Sequence, residues 1–226
     1  MRKIAYGVYG ASGFGKEVFP LIREHVSTFG GSNEDIVFID DEAGNNKYLN
    51  NHKILSFDQF VRMNADERYV SIAIANSKIR EKLTQKCQNN GIRILNVKAS
   101  NVVELDAIVI GEGSILCPFV TLTSNIKIGK GFHANIYSYV AHDCIIGDYV
   151  TFAPSVKCNG NVIIEDHAYI GTGAIIHQGK PNKPLIIGEG AIIAAGSVVT
   201  KSIPAGMKVF GNPAIEFTKE NIKRRR

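Results

Sequence analysis

The chain has 226 residues, room for one large domain or two modest ones, and 45% of them are apolar. Its formal net charge is +5, and Lys219, Lys223, Arg224, Arg225 and Arg226, offset by Glu220, supply most of it. That clustering excludes the basic face interleaved with aromatics that nucleic-acid binding asks for. No apolar run reaches membrane-spanning length, and Met1-Arg2-Lys3 leads into a glycine-rich loop, not a signal-peptide core, so the protein reads as cytoplasmic.

In chain order, Lys3 to Tyr9 reads as a buried strand and Gly10-Ala11-Ser12-Gly13-Phe14-Gly15 as a glycine-rich turn. Lys16 to about Val26 has helical spacing, with Val18, Leu21 and Ile22 on one face. Gly30-Gly31-Ser32-Asn33 predicts a loop, and Ile36 to Ile39 a second strand with Asp40 and Asp41 at its carboxyl end. A short helix is predicted from Ser56, a plausible N-cap, to Met63. Tyr69 to Ala75 predicts a strand, Lys78 to Gln88 a helix and Ile92 to Val97 another strand. Strands alternating with helices point to a small, open, Rossmann-like parallel α/β domain over residues 1–97.

From Ile110 the period changes to six. Ile110, Leu116, Leu122, Ile128, Ala134, Val140, Ile146, Phe152, Cys158, Ile164, Ile170 and Ile176 share one phase, and all are apolar. At this composition such a run is a chance event on the order of one in a few thousand. The phase returns at Ile187, Ile193, Val199 and Ala205 after Gln178-Gly179-Lys180-Pro181-Asn182-Lys183-Pro184, which reads as a loop leaving the repeat. The position four further on is mostly small or branched, as at Ser114, Ser138, Cys144, Ala168 and Ser197. A sustained period of six predicts a parallel β-helix over residues 98–226, with Ala214 to Lys223 as a short closing helix. Cys87, Cys117, Cys144 and Cys158 form no CxxC pair and read as buried, reduced thiols.

Two places can carry chemistry. The glycine loop between a strand and a helix lets backbone N–H groups face a phosphate. Its spacing is GxxGxG, and the unit is too short for two dinucleotide-binding halves, so a mononucleotide or nucleotide-linked sugar fits better than NAD. Asp40 and Asp41 stand where an acid would accept from a ribose or base edge, although both segments are also ordinary turn-formers. The second place is His142-Asp143, with Asn135 about one rung earlier. Imidazole suits proton removal near neutral pH, and a neighbouring carboxylate orients it. Adjacent residues on a flat strand point to opposite faces, so the pair can cooperate only if Val140 to Cys144 turns a corner. His25 and His52 read as surface residues. His133, His142, His167 and His177 are too irregularly spaced for a zinc site to be the favoured reading.

Several segments resemble one family: Ala141 to Val150, Ala153-Pro154, Gly160-Asn161-Val162, Ile170 to Ala174, Ser197 to Lys201 and Gly211 to Ala214. Gly10 to Gly15, Asp40-Asp41 and Ala73 to Arg80 match it too. The chain is similar to the hexapeptide-repeat sugar O-/N-acyltransferases of the sialic-acid O-acetyltransferase type, which include N-acetyltransferases of nucleotide-linked 4-amino-4,6-dideoxy sugars. The resemblance implies a left-handed β-helix, a homotrimer with sites between subunits, and acetyl-CoA as acyl donor with no metal. It implies His142 as base, Asp143 as the residue raising its basicity, and Asn135 as a positioner of the amine. Ser12, Gly13, Phe14, Asp40, Asp41 and Ala75 would line the nucleotide-sugar site, and Thr151, Thr172 and Ala195 would border CoA. Many relatives have histidine in place of Thr151 and of Phe14, and often glycine in place of Ala75 and Ala195. The implied activity is N-acetylation of a UDP- or dTDP-linked amino sugar for surface glycans such as lipopolysaccharide. The alternatives are O-acetylation of a free sugar such as sialic acid, or a non-catalytic trimeric binding protein.

Overall fold

A computed structural model describes residues 3–28, 36–43 and 47–224. The chain divides into two units, Met1–Lys98 and Ala99–Arg226. The loop expected at Gly30-Gly31-Ser32-Asn33 lies outside the described residues, as do Arg225 and Arg226 of the basic tail. Among the described residues no helix is long and apolar enough to cross a membrane.

In the first unit β1 (Ile4–Tyr9) runs parallel between β2 (Ile36–Ile39) and β5 (Glu67–Ile72). β1 and β2 are buried along almost their whole length, so they read as unbroken apolar runs without alternation. Helix α1 (Gly13–Thr28) begins three residues earlier than its apolar spacing predicted, because the second half of the glycine turn is already its first turn. It buries Val18, Phe19, Leu21, Ile22 and Val26. A hairpin escaped the sequence reading: β3 (Tyr48–Leu49) and β4 (His52–Leu55) join through Asn50 and Asn51, both at positive φ. Asparagine tolerates that region, and two such residues make the tight turn that suits strand twist. β4 extends the sheet beside β2. Helix α2 (Phe57–Val61) is shorter than expected, with Ser56 and Gln59 forming a reciprocal capping box.

β5 stops at Ile72, three residues before its expected end, and α3 (Ser77–Asn89) starts under an Asn76 cap. The strand expected over Ile92–Val97 is two short pieces, β6 (Arg93–Ile94) and β7 (Val97–Lys98). The sheet order β3-β4-β2-β1-β5-β6 reverses direction at β1. The carboxyl ends of β1, β2 and β5 therefore flank the crevice where open α/β sheets take ligands. His52 is half-buried against the Phe19 ring, 4.1 Å between centroids, and not the surface residue its isolation suggested. Burial, then the Arg23 charge, lowers its pKa.

The second unit consists of short parallel strands: β8 (Val103–Ile110), β9 (Ile115–Leu116), β10 (Thr121–Ile128), β11 (His133–Ala134), β12 (Tyr139–Val140), β13 (Ile145–Ile146), β14 (Thr151–Phe152) and their successors. Leu122 pairs with Val140 and Val140 with Cys158; Ile128 pairs with Ile146 and Ile146 with Ile164; Ala134 pairs with Phe152 and Phe152 with Ile170. Each step is 18 residues, three hexads, so the chain curls through three faces once per 18 residues. At the 178–184 loop the step widens to 23, as Ile176 pairs with Val199, and the coil resumes in phase. The hexad residues from Leu116 to Val199 and the apolar ones four further on form one continuous core; Ala205, expected in phase, is exposed, and Val209 takes the inward place beside Ile193 because the last coil is shorter. All four cysteines are buried and free. The stacking begins earlier than Ile110: β8 pairs along β10 from Val103, a coil hidden in the sequence because Glu104 and Asp106 occupy it. At the far end Lys208–Phe210 is met by Ile215–Glu216 running antiparallel, and the closing helix α4 is only Lys219–Arg224.

The faces are joined by sharp corners, most of them turned by one residue at positive φ. Ala107, Asn125, Asp143 and Asn161 stack at one corner, with φ between 52° and 59°. Asn and Asp are the non-glycine residues that adopt this conformation most readily.

Candidate active site

The corner between β12 and β13 resolves the geometric difficulty of a His142-Asp143 pair. Asp143 sits at φ 59° and its N–H donates to Ser124 O at 3.1 Å, while His142 O accepts from Asn161 N–H at 3.0 Å. This bend brings both side chains to one side. His142 Nδ1 lies 2.8 Å from Asp143 Oδ2, and the two side chains are 49% and 48% exposed. A carboxylate only accepts, so Nδ1 carries the proton of a neutral ring and Nε2 keeps its lone pair. The hydrogen bond from His142, and then that from Asn125, hold the Asp143 carboxyl below the ordinary carboxylate range.

The other candidates of this unit sit elsewhere on the coil. Asn135 follows β11, one corner away from His142, with the β12 face between them. Its Oδ1 accepts its neighbour's Ile136 N–H at 2.8 Å. Thr172 and Ala195 share Asn135's corner in successive coils and are exposed; Gly196 N–H donates to Thr172 O at 2.8 Å. Thr151 lies in β14, buried between His133 and Tyr169 in strand register. His133 is also buried, His167 stacks on Tyr149 with centroids 5.5 Å apart, and His177 is exposed. Among the described residues no group of three or more His, Cys, Asp or Glu is arranged to hold a metal ion.

In the first unit the structure gathers Ser12, Gly13, Phe14, Asp40, Asp41 and Ala75 at the carboxyl end of the sheet. The glycines divide by cause. Gly10 has φ +110° and a Cβ there would press on Ile74 and the Ala73 carbonyl; one on Gly15 would overlap Gly10 O. A Cβ on Gly13, at the exposed N-terminus of α1, would meet nothing within 4 Å. The fold thus accounts for Gly10 and Gly15 and leaves Gly13 facing open space.

The aspartates are more engaged with protein than their sequence suggested. Asp40 accepts Ala11 N–H at 3.0 Å and Glu42 N–H at 2.9 Å. Asp41 accepts Tyr9 OH at 2.6 Å, Phe57 N–H at 2.8 Å and Lys86 Nζ at 3.2 Å. Burial works to raise the Asp41 pKa, but those three donors outweigh it and hold it low. Burial and the Asp41 carboxylate push the Tyr9 phenol up. Lys86 also lies 4.0 Å from the Phe57 ring centroid.

Three groups of residues were missed. Lys47 and Lys53 join Asp40, Asp41, Tyr48 and Ser56 around a cavity of about 490 Å³, and they are placed by the hairpin that sequence did not reveal. Arg80 is buried, its Nη1 donating to Ile74 O at 2.7 Å and Ala75 O at 3.2 Å, which ties down the segment between β5 and α3. Asn125 and Gly160 flank the His142-Asp143 corner; each stands 18 residues from its partner, a spacing that three hexads would have flagged.

The family model of the PglD N-terminal domain matches residues 7–87. The chain is 50% identical to a GDP-perosamine N-acetyltransferase of Escherichia coli O157:H7 over 212 residues, 94% of this chain and 96% of that one. It superposes on WeeI from Acinetobacter baumannii AYE with a TM-score of 0.92 and 61% identity, covering 95% of this chain and all of that one. The acetyltransferase domain of PglB from Neisseria gonorrhoeae FA1090, solved with acetyl coenzyme A, matches with a TM-score of 0.81 and 25% identity over 96% of this chain and all of that one.

Proposed function

We propose a reaction for this chain, which belongs to the hexapeptide-type acyltransferase family and, within it, to the amino-sugar N-acetyltransferases. It transfers the acetyl group of acetyl-CoA to the amine of a nucleotide-linked 4-amino-4,6-dideoxy sugar. The E. coli relative favours GDP-perosamine as that sugar, a guanosine nucleotide in place of the uridine or thymidine first expected. A cytoplasmic enzyme that readies sugars for surface glycan assembly is the setting this reading implies.

The observation that carries the reading is the His142 Nδ1–Asp143 Oδ2 hydrogen bond on an exposed corner. The amine nitrogen attacks the thioester carbonyl, forming the C–N bond. His142 Nε2 takes the proton the nitrogen sheds, the C–S bond breaks, and the departing sulfur receives that proton to leave as CoA thiol. Asp143 fixes the ring's tautomer and stabilises the imidazolium formed in passing. In the first unit, the N-terminus of α1 at Gly13 suits a phosphate, and the cavity with Lys47 and Lys53 suits the nucleotide. Ser12, Phe14, Asp40, Asp41 and Ala75 complete that reading of the sugar-nucleotide end.

The 18-residue coil supports a left-handed parallel β-helix assembled as a trimer. Asn135 and His142 occupy different corners of one chain, so both serve one amine only when a second copy supplies one of them. Thr172 and Ala195, on Asn135's corner, then border CoA where two coils meet, with Thr151 on the face leading to it.

Purified protein given acetyl-CoA and a panel of GDP-, UDP- and dTDP-linked amino sugars should release thiol and form an acetylated product by mass spectrometry. O-acetylation of a free sugar with no turnover of any nucleotide-linked amine would overturn the reading. Co-assembled Asn135→Ala and His142→Ala chains should recover activity that neither has alone; no recovery would place both residues in one chain's site.

A further inference from the structure

We propose that Asn125 and Gly160 are positioning residues for the His142–Asp143 pair, clamping it from the coils on either side. Asn125 is the stacked neighbour of Asp143, one coil earlier, and Gly160 is the stacked neighbour of His142, one coil later. The proposal rests on His142 acting as the base.

Asn125 Nδ2 donates to Asp143 Oδ1 at 3.1 Å. Asp143 Oδ2 is the oxygen that meets His142. An exposed carboxylate otherwise rotates freely about its last torsion, so a donor on one oxygen aims the other. The amide also has nothing to give to the imidazole and no charge to compete with it. Gly160 acts by subtraction. A Cβ built on it has the His142 ring as its three nearest neighbours, with Cε1 and Nε2 both at 2.5 Å and Nδ1 at 2.9 Å. The ring therefore lies in space that any other residue would fill. Gly160 has no positive φ to explain its identity, whereas Gly173 and Gly196 sit at corners with φ near 68° and meet nothing.

Asn125 has a simpler explanation to defeat, because it stands at φ 56°, where asparagine serves as a corner-former. Glycine serves that conformation as well and removes only the amide. Asn125→Gly should therefore keep the parent's Tm and KM values while kcat falls roughly five- to tenfold, and the same change in an Asp143→Ala background should cost less than about twofold. Gly160→Ala should fold normally, since the displaced group is a side-chain end, and lower kcat by tenfold or more at unchanged KM for acetyl-CoA, yet cost less than about twofold in a His142→Asn background. Parent-like kcat for Asn125→Gly and Gly160→Ala, or losses equal in both backgrounds, would overturn the proposal while His142→Asn stays slow. Parent-like turnover by His142→Asn itself would take down the base assignment and this proposal together.

Discussion

At the end of β2, Asp41 receives a phenol, a backbone N–H and an ammonium, all from its own unit. At the corner after β12, Asp143 receives one imidazole and one amide, and half of its side chain faces solvent. Both carboxyls are held low. The first is held by groups that also tie β1, α2 and α3 together, so its ionisation serves the fold as well as the proposed sugar-nucleotide end. The second is paired with a half-exposed imidazole whose other nitrogen keeps a lone pair, so in the proposed mechanism its ionisation serves that ring. A lowered pKa alone does not distinguish these cases; what distinguishes them is whether the donors have anything left to do.

The contrast breaks most sharply at His142. His142→Asn should lower kcat by about 10²–10⁴-fold with little change in Tm, measured by thiol release and thermal melting. A variant that keeps half its rate would remove His142 as the base. In the first unit the large effect should be on stability. Gly15→Ala forces a Cβ against Gly10 O and should cost roughly 2–3 kcal/mol in urea unfolding. Asp41→Asn should cost roughly 1 kcal/mol, because its side chain is 44% exposed and solvent screens the Lys86 pair. Folding lowers the Asp41 carboxyl, so its contribution is present above the unfolded value near pH 4 and is lost as pH falls through the folded value. Melting between pH 5 and pH 2 should show that loss in the parent and a flatter curve in Asp41→Asn. The smallest structural effect should come from Gly13→Ala, within about 0.5 kcal/mol of the parent. Its KM for the nucleotide-linked sugar should nonetheless rise several-fold, and an unchanged KM would remove Gly13 from the site.

The two units were also unequally legible. Hexads declare themselves because every residue of the hexad phase from Ile110 to Ile176 is apolar, whatever the corners contain. That regularity failed where polar residues took the phase, so the β8 coil went unseen behind Glu104. In the first unit, β1, β2 and α1 were readable as buried runs and a helical face. The hairpin of β3 and β4 was not, since Tyr48–Leu49 is too short to show a period and its turn is two asparagines, which loops also use. His142 and Asp143 were readable as a dyad only conditionally, because adjacency in sequence says nothing about direction until the corner at Asp143 is known. Asn125 carries no local signal and Gly160 only its place in a family-like Gly160-Asn161-Val162; the roles proposed for them depend on the 18-residue step that stacks one coil on the next.

That same stacking leaves a question at its last rung. A pile of parallel strands ends in a row of unsatisfied N–H and C=O groups, and such a row invites another chain to continue the pile. Here Ile215–Glu216 lies against Lys208–Phe210 in the opposite direction. The reversal uses up the edge with a segment that cannot be followed by another parallel coil. Residues 214–217 thus act as a stopper on that face, covering the row that would otherwise serve as a template for a further strand.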